Sequence, residues 1–171
     1  MERVLNIRLF FFMLSLTALF LYNACVKPPD YPKEPVIEFA SISKQLMKQG
    51  KNGEDSISVT FNYTDGDGDL GFPSNEPGTS IFVRDGRDSF LKYEYKIPYI
   101  EPQGTGNGIS GTININIPTS CCIQIDANGT PLACELAMIP FDTIQYLIRI
   151  KDRAGNLSNE IVTPPIRLKC Q

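Results

Sequence analysis

From residue 36 onward the side chains alternate. In 57–63, Ile57, Val59, Phe61 and Tyr63 fall on one face and Ser58, Thr60 and Asn62 on the other, the period of two that marks a strand with one buried side. The run 91–97 repeats the pattern with charges outside, and 113–117 repeats it with asparagines. A more continuously apolar run at 144–150 reads as a central strand, and 36–41, 80–84 and 160–168 complete a set of seven. Pro164 and Pro165 interrupt the last of these; proline cannot donate to a ladder, so they place it at an edge or at a switch between sheets. Only 44–49 hints at helix, for about one turn. Short strands, turn-forming connections and no helix long enough for a parallel crossover specify an all-β chain, an antiparallel sandwich of about seven strands, with a small β-barrel as the alternative.

The N-terminal region obeys different rules. Arg3 and Arg8 precede an uncharged stretch at 9–22, about 14 residues where a membrane span needs about 20 and a signal-peptide core roughly 7 to 15. Residues 1–24 are therefore expected to be a signal peptide. The segment Tyr22-Asn23-Ala24-Cys25 resembles a bacterial lipoprotein signal, in which a small residue precedes the cysteine that receives lipid. Tyr22 stands where Leu is usual and Leu21 lies one residue further back, closer to the looser lipobox of Bacteroidota. The resemblance implies lipid attachment at Cys25 and anchorage to a membrane. Val26 is not the Asp that retains enterobacterial lipoproteins at the inner membrane, so the outer membrane is the expected location. Four prolines (28, 29, 32 and 35) mark 25–35 as an extended tether without packing of its own, leaving 36–171 as the folded domain. Loss of Glu2, Arg3 and Arg8 with the leader leaves 14 basic against 18 acidic side chains, net −4. No basic run offers a footprint for nucleic acid.

Asp142 and Tyr146 stand four apart at the entrance to the penultimate strand, which resembles the tyrosine corner of immunoglobulin-like domains. Ile148 takes the place of the usual core cysteine, and there is no Trp. Together with the acidic motif at 65–71 (DGDGDLG) and the motif at 152–159 (DRAGNLSN), the chain is similar to the small immunoglobulin-like lipoproteins of Bacteroidota over most of residues 36–168. That resemblance implies an immunoglobulin-like sandwich and carries no established chemistry.

Four cysteines remain in the domain, an even number in an exported protein, consistent with two disulfides. A bridge between the neighbours Cys121 and Cys122 is strained. The segment 122–134 reads as a hairpin around Ala127-Asn128-Gly129, which pairs Cys122 with Cys134 and leaves Cys121 for Cys170. The spacing lacks the paired CxxC of a zinc site.

Asp65, Asp67 and Asp69 alternate with glycines. Counted as an EF-hand loop, Glu76 falls at position 12, but Leu70 stands where the sharp turn needs glycine and Pro73 at position 9, so a true EF-hand is not expected. If 57–63 and 144–150 are the second and penultimate strands of the sandwich, the loops after them share one end. Asp152 and Asn156 then approach Asp65, Asp67 and Asp69, a set of hard oxygen donors suited to Ca²⁺. The bland alternative is a structural turn in which the Asp side chains cap backbone amides and Lys151 or Arg153 supplies the opposing charge.

Histidine is absent, and no GxSxG or SxxK motif occurs, so an enzyme is not expected; a metal-dependent hydrolase using Asp65 to Asp69 is the competing class. Of the aromatic residues that might form a glycan-binding platform (Tyr63, Phe82, Tyr93, Tyr95 and Tyr99), most fall in core phase, and Phe82, out of phase with Ile81 and Val83, is the best exposed candidate. The charged turn 85–88 reads as solvated. The expected role is a binding or structural module of the cell envelope, with an envelope protein or a glycan as partner.

Overall fold

The structure is a computed structural model, and it describes residues 30–51, 53–101, 108–130, 132, 134 and 138–170. The leader, Cys25, the first part of the tether and most of the Gly-rich segment 103–108 lie outside these residues.

The described chain is all-β. Ten strands run in order: β1 (Val36–Ile42), β2 (Leu46–Lys48), β3 (Ser56–Asp65), β4 (Ile81–Asp85), β5 (Leu91–Tyr95), β6 (Ile109–Pro118), β7 (Phe141–Ile144), β8 (Tyr146–Ile150), β9 (Ile161–Val162) and β10 (Ile166–Lys169). They form three open sheets, β1-β3-β6, β5-β4-β8-β9 and β2-β10-β7. None closes on itself, so the barrel is excluded and the architecture is an immunoglobulin-like sandwich. Among the described residues no helix is long and apolar enough to cross a membrane.

The seven runs expected from alternation are all present, and two of them are broken. The run 144–150 divides at Gln145: β7 pairs with β10 (Ile144↔Ile166) and β8 with β9 (Ile148↔Ile161), the register slipping by one residue between them. Pro164 and Pro165 make the matching break between β9 and β10, which lie in different sheets. The helical hint at 44–49 is corrected: these residues hold β2, which runs parallel to β10.

One core joins the layers. Ile57, Val59, Phe61 and Tyr63 of β3 face Ile81 and Val83 of β4 and Tyr146, Ile148 and Ile150 of β8, with Ile115, Ile117, Ile166, Leu168 and Met47 closing the cluster. At about 25 cal/mol per Å² of apolar surface, each such side chain contributes roughly 1.5–3 kcal/mol. Tyr146 is fully buried, but its hydroxyl lies 3.5 Å from the Pro118 carbonyl across the core, not on the backbone just upstream. It is therefore a core tyrosine and not a tyrosine corner.

Cysteine pairing corrects the expected connectivity. Cys121 bonds Cys134 and Cys122 bonds Cys170. The hairpin has the anticipated register, with amide bonds from Asp126 to Thr130 and from Leu132 to Gln124 and with Gly129 at φ +82°, so by extrapolation Cys122 opposes Cys134. Cys134, however, falls in a 3₁₀ turn and leaves the register. Alternation then decides: Cys122 points into the core, where Cys170 arrives in phase with Ile166 and Leu168, and Cys121 faces the hairpin.

The tether also departs from expectation, because its last residues pack. Gly66 donates its amide to the Pro32 carbonyl at 2.7 Å, Pro35 is buried, and the Tyr31 ring lies against Gly108. A Cβ on Gly66 would stand 2.2 Å from the Tyr31 carbonyl oxygen, so only glycine admits this approach.

Candidate metal centre

The alternation that builds the core also builds the acidic corner. Along β3 the inward column is Ile57, Val59, Phe61, Tyr63 and then Asp65; along β8 it is Tyr146, Ile148, Ile150 and then Asp152. Each sheet thus ends an apolar column with a carboxylate, and both columns end at the same edge of the sandwich. Asp65 is 0% exposed and Asp152 1%. The turn after β3 adds Asp67 and Asp69, with Gly68 and Gly71 at positive φ. One carboxylate oxygen from each of Asp65, Asp67, Asp69 and Asp152 lies within 4.8 Å of the others.

The two loops are knitted together. Asp69 accepts the Ala154 amide at 2.9 Å, and its carbonyl accepts the Arg153 amide at 3.2 Å. Asp152 accepts both the backbone amide of Asn156 (2.7 Å) and its side-chain amide (2.8 Å). Asn156 therefore reaches the corner as a donor that orients Asp152, not as the oxygen ligand the sequence suggests. Glu76 is exposed and stands apart from the group, as the misfit to an EF-hand implies.

What the corner lacks is positive charge. Both oxygens of Asp65, one of Asp67 and one of Asp69 are buried without a close hydrogen-bond partner among the described residues. Arg153 turns aside, donating to the Gly71 carbonyl at 2.7 Å and lying over the Tyr99 ring at 5.0 Å. Lys151 lies over Phe82. Among the described residues no cation makes an ion pair with the four acids, so the structural-turn reading accounts for Asp69 and Asp152 but not for Asp65 and Asp67. Burial first, then the neighbouring charges of Asp67, Asp69 and Asp152, push Asp65 up to about 7 against the smaller pull of the Asp69 backbone amide. Asp69 is raised as well, by burial and then by Asp152 and Asp67. At an effective dielectric of about 20, like charges this close repel by roughly 3 kcal/mol per pair. The donors are all hard oxygens, the set that a divalent cation of the Ca²⁺ or Mg²⁺ kind takes.

Two partly buried hubs escaped the sequence, both at the opposite end. Arg87 forks onto Asp85 at 2.6 and 2.9 Å, onto Asp142 at 2.5 Å and onto the Cys121 carbonyl at 3.2 Å. Asp85 is wholly buried, which corrects the solvated reading of this turn. Burial works against the Arg87 charge, but the two carboxylates more than offset it and hold its pKa high. Gln49 donates to the carbonyls of Cys134 and Cys170 and accepts the Cys122 amide, tying both disulfides together. An Asp and an Arg two apart in a turn was the visible signal for Arg87; nothing local marked Gln49.

No protein-family model and no curated protein matches the chain.

Proposed function

We propose that this protein is a lipid-anchored, non-catalytic module of the bacterial outer membrane whose acidic corner binds Ca²⁺. The observation that carries the metal reading is Asp65, fully buried with neither oxygen in a close hydrogen bond, inside a group of four carboxylates that no cation among the described residues pairs. Oxygens on opposite sides of a Ca²⁺ at 2.3–2.6 Å stand about 5 Å apart, against about 4 Å for Mg²⁺. A spread of up to 4.8 Å favours the larger ion. Backbone carbonyls and water would supply the remaining ligands. Because Asp65 and Asp152 are buried and come from different strands while Asp67 and Asp69 are half-buried, a bound ion would brace the two loops. Export and lipid attachment rest on the leader and Cys25.

Melting curves of the purified mature protein test the metal reading. Millimolar Ca²⁺ should raise the melting temperature, Mg²⁺ should do so less, and Asp67→Ala should abolish the rise. An unchanged curve removes calcium. Mass spectrometry of the native amino terminus tests the anchor, and an unmodified or uncleaved terminus refutes it.

A further inference from the structure

A groove on the outer face of sheet β5-β4-β8-β9 is lined by positive charge. Phe82 and Arg84 on β4, Arg149 on β8 and Lys151 just beyond it alternate with the buried set Ile81, Val83, Ile148 and Ile150, and so project away from the core. With Leu157 they line a groove of about 350 Å³. Strand pairing sets Phe82 opposite Arg149, Lys151 Nζ lies 5.2 Å from the centre of the Phe82 ring, and Lys151 is bridged to Leu157. One carboxylate serves both arginines: Glu160 pairs with Arg84 and lies 3.3 Å from Arg149 Nε. Even so, Arg149 Nε is buried with no hydrogen bond. Glu94, opposite Phe82 on β5, is the second carboxylate on this face, so three cations line the groove against two anions, on a chain whose net charge is −3.

We propose that this groove binds a small acidic saccharide, its carboxylate or sulfate held by Arg149 and Lys151 and the C–H face of a sugar ring laid on Phe82 and Leu157. Guanidinium and ammonium groups donate and never accept, so the ligand must be rich in acceptors and negatively charged; Glu160 is shared between Arg84 and Arg149 and reaches no further, so Lys151 and the donors of Arg149 turned away from Glu160 are left to hold it. A volume near 350 Å³ sits at the small end of ligand sites, roughly 300–1,000 Å³, whereas a protein partner needs about 800 Å² of surface per side. The apolar lining separates a sugar from a bare anion: Leu157 is 49% exposed and Phe82 half-buried, and an inorganic ion would use neither. The groove shares no side chain with the acidic corner, so this inference stands whether or not calcium binds.

Isothermal titration of the mature protein in metal-free buffer tests it, with tetragalacturonate (carboxylate only), a κ-carrageenan tetrasaccharide (sulfate only), cellotetraose (neutral) and sodium sulfate as probes. At least one acidic tetrasaccharide should bind, tenfold or more tighter than cellotetraose, and raising NaCl from about 50 to 500 mM should weaken it. Which of the two binds identifies the anionic group. Arg149→Gln and Lys151→Gln should each weaken binding by about tenfold with the melting temperature unchanged, and Phe82→Leu should weaken it several-fold. The proposal is overturned if neither acidic probe binds at about 5 mM, if cellotetraose binds equally, if sodium sulfate binds as tightly as the sugars, or if folded Arg149→Gln binds like wild type.

Discussion

Replacing Asp65 by Asn keeps the shape of the side chain and removes one charge from the closed corner. In the unfolded chain this carboxyl ionises near 3.8, and in the folded protein at about 7, because burial and three neighbouring carboxylates oppose its charge. Between these values the folded state holds a proton that the unfolded state has released. Metal-free stability therefore falls as pH rises through this window, by about 1.4 kcal/mol per unit, and above pH 7 the whole penalty is present, on the order of 4 kcal/mol. Asn cannot ionise. Metal-free Asp65→Asn should melt above wild type at pH 8, by on the order of 10 °C at roughly 3–4 °C per kcal/mol for a domain of this size; at pH 5 about 1.6 kcal/mol of the difference should remain, or about 5 °C. Lower pH is uninformative, because Asp55, Asp88 and Asp142 have depressed pKa values and their stabilisation is lost there. Calcium should narrow the gap and then close it: it adds about 2.7 kcal/mol to wild type at about 100 times its Kd and about 4.1 kcal/mol at about 1,000 times, and little to the variant. Scanning calorimetry at pH 5, 6.5 and 8, in EDTA and in Ca²⁺, reads every term. The reasoning fails if the variant melts below wild type at pH 8 without metal, since that would mean the carboxylate has a favourable partner. It fails equally if calcium stabilises both proteins alike.

Three further outcomes follow from the packing. Arg87→Met should leave Asp85 buried and uncompensated and cost about 3–5 kcal/mol in chemical denaturation, with Asp85→Asn in the same chain recovering part of the loss. Tandem mass spectrometry of unreduced digests should find Cys122 joined to Cys170; removing that pair, which closes 48 residues, should destabilise by about 4 kcal/mol, against about 3 kcal/mol for the 13-residue closure of Cys121 and Cys134. Gly66→Ala should free residues 30–32, seen as faster amide hydrogen exchange there, while the inward columns of β3 and β8 keep their protection.

Period-two alternation made most of this fold readable, because a residue on the wrong face of a strand would put a polar group in the core. The same rule, carried one step past the last apolar residue of β3 and β8, places Asp65 and Asp152 inside, so the acidic corner was legible as well. Three things were not. The break at Gln145 depends on its partner strand, since Pro164 and Pro165 remove ladder donors opposite it. The choice between adjacent Cys121 and Cys122 depends on which one faces inward, and residues so close in sequence offer identical spacing. The role of Asn156 turns on whether its oxygen or its nitrogen faces Asp152, and that is settled only by contact.

The docking of Pro32 on Gly66 fixes where the chain departs. Strand β3 runs ten residues from the stapled end to the acidic end, about 30 Å at 3.3 Å per residue. Ile123, Ile125 and Met138, all solvent-facing, belong to the crosslinked region at the opposite pole, so a molecule held by its N-terminal segment would present that pole as its outermost tip, braced by two covalent crosslinks where collisions are most frequent.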